Sequence, residues 1–176
     1  CGIGTLVRLA ELDIDPRLID TVVISHFHAD HFGDAFNLIA ARFVGSLYQQ
    51  RGPRSLTMIG PRGLARRFRL WRSIYWPEPD ESYPVTFREG AGIYAVGDVM
   101  LHTFPITHVP WFDSIGVRIE RGAETLLAYP GDVGSNQDPA ELAAACRSAK
   151  LLLIEAGYDR PTPNHFTIKQ TRELMA

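Results

Sequence analysis

The segment Ser25-His26-Phe27-His28-Ala29-Asp30-His31, set at the end of the apolar run at residues 21–25, constrains this chain more than any other. It holds three of the chain's six histidines and a carboxylate. A short β-branched run that stops at such a segment reads as a strand delivering ligand-type side chains from its end. Imidazole suits zinc, iron and manganese, and a carboxylate adds charge neutralisation. In an extended loop alternate residues share a side, so His26 and His28 point together. Asp30 and His31 then turn toward a second point, and one short loop can serve two metal ions. A solvated polar loop is the competing reading, and four ligand-type residues at this spacing argue against it.

The rest of the chain mixes strands and helices. Helical patterns cover residues 5–12, 32–43, 62–75 and 138–149, and one opens at residue 167. Asp138 and Pro139 read as an N-cap and a first helical residue. Strand patterns cover residues 21–25 and 55–59, then 85–88, 93–96 and 99–104 as a β-meander. Residues 115–120 and 125–128 form a hairpin, and 150–155 a buried strand. The expected fold class is therefore α/β (α+β), with sheets packed against helices. At 45% hydrophobic and 22% charged residues, the composition is that of one globular domain over residues 1–176. A net charge of −2 gives no global electrostatic case for nucleic acid. Two cysteines, Cys1 and Cys146, exclude a disulfide framework and point to a reducing compartment, so the expected location is cytoplasmic. No apolar run approaches the ~20 residues that span a bilayer, so no membrane partner is expected. The chain opens on Cys-Gly-Ile-Gly and stops inside a helical pattern, so both ends are expected to be cut.

The histidine segment resembles the H-x-H-x-D-H signature of the metallo-β-lactamase superfamily, matched at His26, His28, Asp30 and His31. The resemblance continues in order. His108, in Phe-Pro-Ile-Thr-His, and Asp132, in Tyr-Pro-Gly-Asp, each end a strand where the family places its next metal histidine and its bridging carboxylate. The spacing of these residues is similar to that of the ribonuclease Z and phosphodiesterase branch. The resemblance implies a four-layer αββα sandwich with its terminal elements missing. It also implies two divalent metal ions, zinc with manganese or iron as alternatives. His26, His28 and His108 would hold one ion, and Asp30 and His31 the other, with Asp132 between them. A hydroxide bridging the ions would attack a phosphodiester, and Asp30 would orient it or accept its proton.

His165, in Asn-His-Phe-Thr, resembles the loop whose histidine assists the leaving group in that branch. A metal-ligand role for it stays open, and His102 is read as a structural histidine. The branch takes a last metal histidine from beyond its final helix, and no histidine follows His165 here. The implied substrates are a small phosphodiester or an RNA 3′ end, and a homodimer is an expectation from the branch. The alternatives are a thioester, lactone or β-lactam hydrolase, and an incomplete non-catalytic metal-binding domain. Asp34, Asp113 and Glu155 are equally eligible to orient the ligand imidazoles. Arg62, Arg66 and Arg69 share one helical face, read either as a nucleic-acid patch or as a solvated face. The loop at 77–84, with Trp76 at its start, is either a rim over the site or a plain connector.

Overall fold

The structure, a computed structural model, describes residues 1–48, 55–75 and 83–175. They fall into two compact units, Cys1–Glu89 and Gly90–Ala176. The loop read as a rim, with Trp76, lies almost wholly outside the described residues.

The first unit runs α1 (Thr5–Glu11), a 3-10 turn (Pro16–Leu18), β1 (Thr21–Val23), α2 (Ala29–Phe32), α3 (Ala35–Tyr48), β2 (Leu56–Gly60), α4 (Leu64–Tyr75) and β3 (Val85–Glu89). Its sheet is wholly parallel, in the order β1-β2-β3. Parallel neighbours need crossover connections, and α3 and α4 supply helices for them. Here the expected meander is corrected. Residues 85–89 pair in parallel with β2, Leu56 opposite Val85, and belong to this sheet. The helix expected over 32–43 is also two elements, α2 and α3, parted at Gly33-Asp34. The Asp34 carboxylate accepts from Leu6 N at 3.2 Å and so serves α1.

The core gathers Ile24, Phe36, Ile39, Leu56, Met58 and Phe68. Arg42 lies among them, 0% exposed. Its guanidinium donates to the carbonyls of Pro16 (2.9 Å), Arg17 (3.2 Å) and Ile19, and lies 4.8 Å from the Tyr83 ring centroid. Tyr83 donates to Ile39 O at 2.9 Å, and burial pushes its phenol above the ordinary value, opposed by Arg42. Gly2 is required by close approach, because a Cβ there would meet the backbone oxygen of Asp30 at 1.6 Å.

The second unit holds β4 (Gly92–Val96), β5 (Val99–Ile106), β6 (Ser114–Arg121), β7 (Glu124–Tyr129), α5 (Pro139–Cys146), β8 (Leu151–Leu152) and α6 (Ile168–Met175). One sheet in the order β4-β5-β6-β7-β8 is antiparallel except for the β7–β8 pair. The predicted β6–β7 hairpin forms, with Gly122 in its turn at φ 58°. Asp138 caps α5 by accepting from Ala140 N at 2.8 Å, with Pro139 at the first helical position. Ile106, Ala128, Val133, Leu142, Cys146 and Phe166 make the core. Burial pushes the Cys146 thiol up. The strand expected at 150–155 reduces to Leu151–Leu152 at the sheet's edge, and Leu151 and Leu153 are 50% and 46% exposed. An edge strand leaves one flank open, which accounts for exposure that the apolar sequence hides.

Candidate metal centre

In the first unit β1 runs on through Ile24, whose N–H reaches Ile59 O at 2.8 Å, and ends at the histidine segment. His26 is fully buried, and His28, with extended φ and ψ, takes the N-cap position of α2. The predicted alternation holds. His26 Nε2 lies 3.1 Å from His28 Nδ1, whereas the Phe27 ring packs against Phe32 and lies 3.7 Å from the Arg67 guanidinium carbon. Two nitrogens ligating one tetrahedral zinc ion at 2.0–2.1 Å sit about 3.3 Å apart, so this pair fits a shared ion. Ser25 Oγ lies 3.2 Å from His26 Nδ1, which leaves Nε2 as the nitrogen facing His28. The His31 ring packs 4.1 Å from that of His26, and its Nε2 is 3.4 Å from Asp30 Oδ2. The Asp30 side chain is 77% exposed in the first turn of α2.

In the second unit, His108 follows β5 and Asp132 follows β7, as the sequence reading expects. Gln137 Oε1 accepts from Thr107 N at 2.8 Å, and Gly134 N donates to Thr107 O at 2.7 Å, which holds the His108 loop at its root. His108 Nδ1 is 2.7 Å from Asn164 O. A carbonyl only accepts, so Nδ1 carries a proton and Nε2 is the nitrogen left for a ligand role. That Nε2 lies 3.8 Å from Asp132 Oδ2. Fixing one imidazole nitrogen so that the other can bind metal is the usual support for a ligand histidine.

Of the three carboxylates eligible to orient an imidazole, Glu155 meets that of His165, whereas His108 is held by the Asn164 carbonyl. Its Oε1 accepts from Val133 N (2.7 Å) and Phe166 N (3.1 Å), and its Oε2 lies 2.8 Å from His165 Nδ1. It thereby ties the residue after Asp132 to the loop of His165. Asp132, Glu155 and His165 each offer an atom within 4.8 Å of the others. The short His165–Glu155 contact makes Nδ1 a donor, so its geometry is that of a carboxylate–imidazole dyad. Tyr158 stacks on the His165 ring at 4.8 Å, and the His108 ring meets it edge-on at 5.2 Å. His102 instead pairs with Glu120 at 3.0 Å on the sheet, where Arg118 also meets Glu120, in keeping with a structural histidine. On α4, Arg66 and Arg69 are exposed, as is Arg62 just before it. Arg67 is partly buried, and burial and the nearby Arg66 lower its pKa.

Two sheets with helices, and imidazole–carboxylate groups at strand ends that could hold a metal ion, make an α/β fold with a candidate metal site. The chain belongs to the beta-lactamase superfamily: the family model described as "Beta-lactamase superfamily domain" matches residues 4–176. Ribonuclease Z of Agathobacter rectalis is 29% identical over 121 residues, which cover 69% of this chain and 38% of that protein. The crystal structure of human tRNase Z, short form, matches with a TM-score of 0.75 at 20% identity, over 99% of this chain and 74% of that one. The metallo-beta-lactamase fold protein YhfI from Bacillus subtilis matches with a TM-score of 0.75 at 19% identity, over 99% and 66%. These structures establish the metallo-β-lactamase fold that the sequence resemblance implies, and the sequence relatives are of the ribonuclease Z-like branch. The chain spans half or less of the length of the first curated relatives it matches. No helix among the described residues is long and apolar enough to cross a membrane.

Proposed function

We propose that the protein is a metal-dependent phosphodiesterase of the ribonuclease Z-like kind, with residues 1–176 acting as one domain. Its substrate would be a small phosphodiester or an RNA 3′ end. His26, His28 and His108 would hold one divalent ion. Asp30 and His31 would hold a second, with Asp132 shared between the two. The donor set fits: it is nitrogen-rich, each half carries its own bracing, and zinc is the natural occupant, with manganese or iron as alternatives. When bound, the ions make water a nucleophile near neutral pH and polarise the phosphoryl oxygens.

The observation that supports this reading most is the Glu155–His165 dyad. With Nδ1 donating to Glu155, the imidazole presents Nε2 to the substrate. The protonated ring can give its Nε2 proton to the departing oxygen and is left neutral, and the Glu155 charge stabilises the imidazolium before that transfer. Asp30, exposed at the mouth of its loop, would accept a proton from the attacking water. Glu155 would hold His165 and the residue after Asp132 in one arrangement, so that the donor and the shared ligand keep their spacing.

The test is a panel of bis(p-nitrophenyl) phosphate, a thioester, a lactone and a β-lactam, run on full-length protein with zinc or manganese. Hydrolysis of the phosphodiester, lost in Asp132→Ala together with metal, is the expected result. Turnover of a carbonyl substrate with none of the diester would overturn it.

A further inference from the structure

The second unit leaves one large ring open beside its dyad. Tyr158 is 41% exposed, yet its place is fixed. Ile168 N donates to its carbonyl at 2.8 Å, and its backbone bridges to Thr167 in parallel, so the start of α6 holds it. Its ring lies 4.8 Å from that of His165, with 24° between the planes. One face is therefore covered by the imidazole, and the exposure belongs to the other face and the edge.

We propose that Tyr158 is a specificity residue whose open face stacks on a planar ring carried by the departing alcohol of the substrate. This inference rests on the reading of His165 as proton donor to the departing oxygen. A group whose oxygen reaches His165 Nε2 comes alongside the phenol that lies on that imidazole. A tyrosine has few rotatable bonds, and this one is already ordered by its backbone, so stacking on it forfeits little freedom. Aromatic stacking tolerates any base because every base has a π-face. The substrate class is thereby narrowed to phosphodiesters of nucleosides or of aryl alcohols, as against those of simple alkyl alcohols. If Tyr158 only shielded His165, it would act alike on every ligand.

Calorimetric titration of the zinc-loaded protein with AMP and with ribose 5-phosphate isolates the ring without turnover. AMP is expected to bind about tenfold tighter, the scale of one base stacked on one aromatic side chain. Tyr158→Leu should erase that difference, and Tyr158→Phe should restore it. Trp111, 65% exposed and three residues beyond His108, is another open ring among the described residues, and Trp111→Ala should preserve the difference. Equal affinities in the parent protein would overturn the proposal. So would a preference that survives Tyr158→Leu, or one that vanishes with Trp111→Ala and not with Tyr158→Leu. Should Tyr158→Leu fail to fold, Tyr158→Thr takes its place in the same titrations, with the same expected and refuting results. An AMP preference that follows Tyr158 in a protein with no diesterase activity would sink the phosphodiesterase reading and with it the role toward a departing alcohol, whereas diesterase activity without that preference would sink this inference alone.

Discussion

Replacing Glu155 by Gln separates holding the loops together from handling a proton. The amide oxygen can still accept from Val133 N and Phe166 N, which the native Oε1 receives at 2.7 and 3.1 Å. The amide NH2 then takes the place of Oε2 and faces His165 Nδ1–H, donor against donor, across a native distance of 2.8 Å. One charge-assisted hydrogen bond is lost. A buried bond of that kind contributes about 1.5–3 kcal/mol, and His165 is partly exposed, so about 1 kcal/mol is the reasoned cost. For a chain of this size that lowers the melting temperature by about 2–4 °C. Glu155→Ala also strands two backbone N–H groups, each costing about 1–3 kcal/mol, and should lower it by about 10 °C. Catalysis should respond in a different order. General acid assistance is worth about 10²–10⁴-fold, so Glu155→Gln should lose that much on an alkyl phosphodiester. It should lose little on a p-nitrophenyl ester, whose leaving group needs no proton. Thermal melts by circular dichroism and steady-state rates on the two esters check both halves. Equal rate losses on the two esters, or a Gln variant melting as low as the Ala variant, would refute the reasoning.

His26→Ala should lower the zinc content measured by mass spectrometry, whereas His102→Ala should leave it unchanged, since His102 is engaged with Glu120. Arg42→Ala should destabilise the fold by about 3–5 kcal/mol, because three carbonyls lose a buried donor; urea denaturation would reveal it. The folded-state pKa of Tyr83 is raised, chiefly by burial. Its contribution to stability is therefore complete below its unfolded value of about 10 and is lost as pH rises through the folded value. Urea midpoints between pH 8 and 11 should fall less steeply in Tyr83→Phe than in the parent.

Much of the fold was legible because strand ends and caps are local. The alternation of His26, Phe27 and His28 and the Asp138-Pro139 cap both follow from neighbours in the chain. What was not legible depends on distant partners. Residues 85–88 read as part of a meander because the run does not encode whether its neighbour is parallel; pairing with β2 decides that. The run at 150–155 looked buried because Leu and Ile were counted without knowing that the strand lies at an edge. Arg42 sits on the apolar side of α3 between Ile39 and Phe43, and nothing in the pattern announces the carbonyls of residues 16, 17 and 19 waiting for it. Glu155 was one of three eligible carboxylates, since its partners at 133, 165 and 166 come together only through the fold. Tyr158 gave no signal at all, because ring stacking on His165 has no sequence period.

The carboxylate at the end of β3 bears on where a phosphate can be captured. Glu89 accepts from Gly63 N at 3.1 Å and from Ala65 N at 2.7 Å, at the opening turn of α4. Amides at such a turn ordinarily attract anions, and a glycine-punctuated approach like Gly60-Pro61-Arg62-Gly63 invites comparison with nucleotide cradles. Here the protein has already seated its own anion in that socket. A nucleotide offered to this end of the helix meets a resident negative charge, so any recognition of phosphate must be carried by other groups of the molecule.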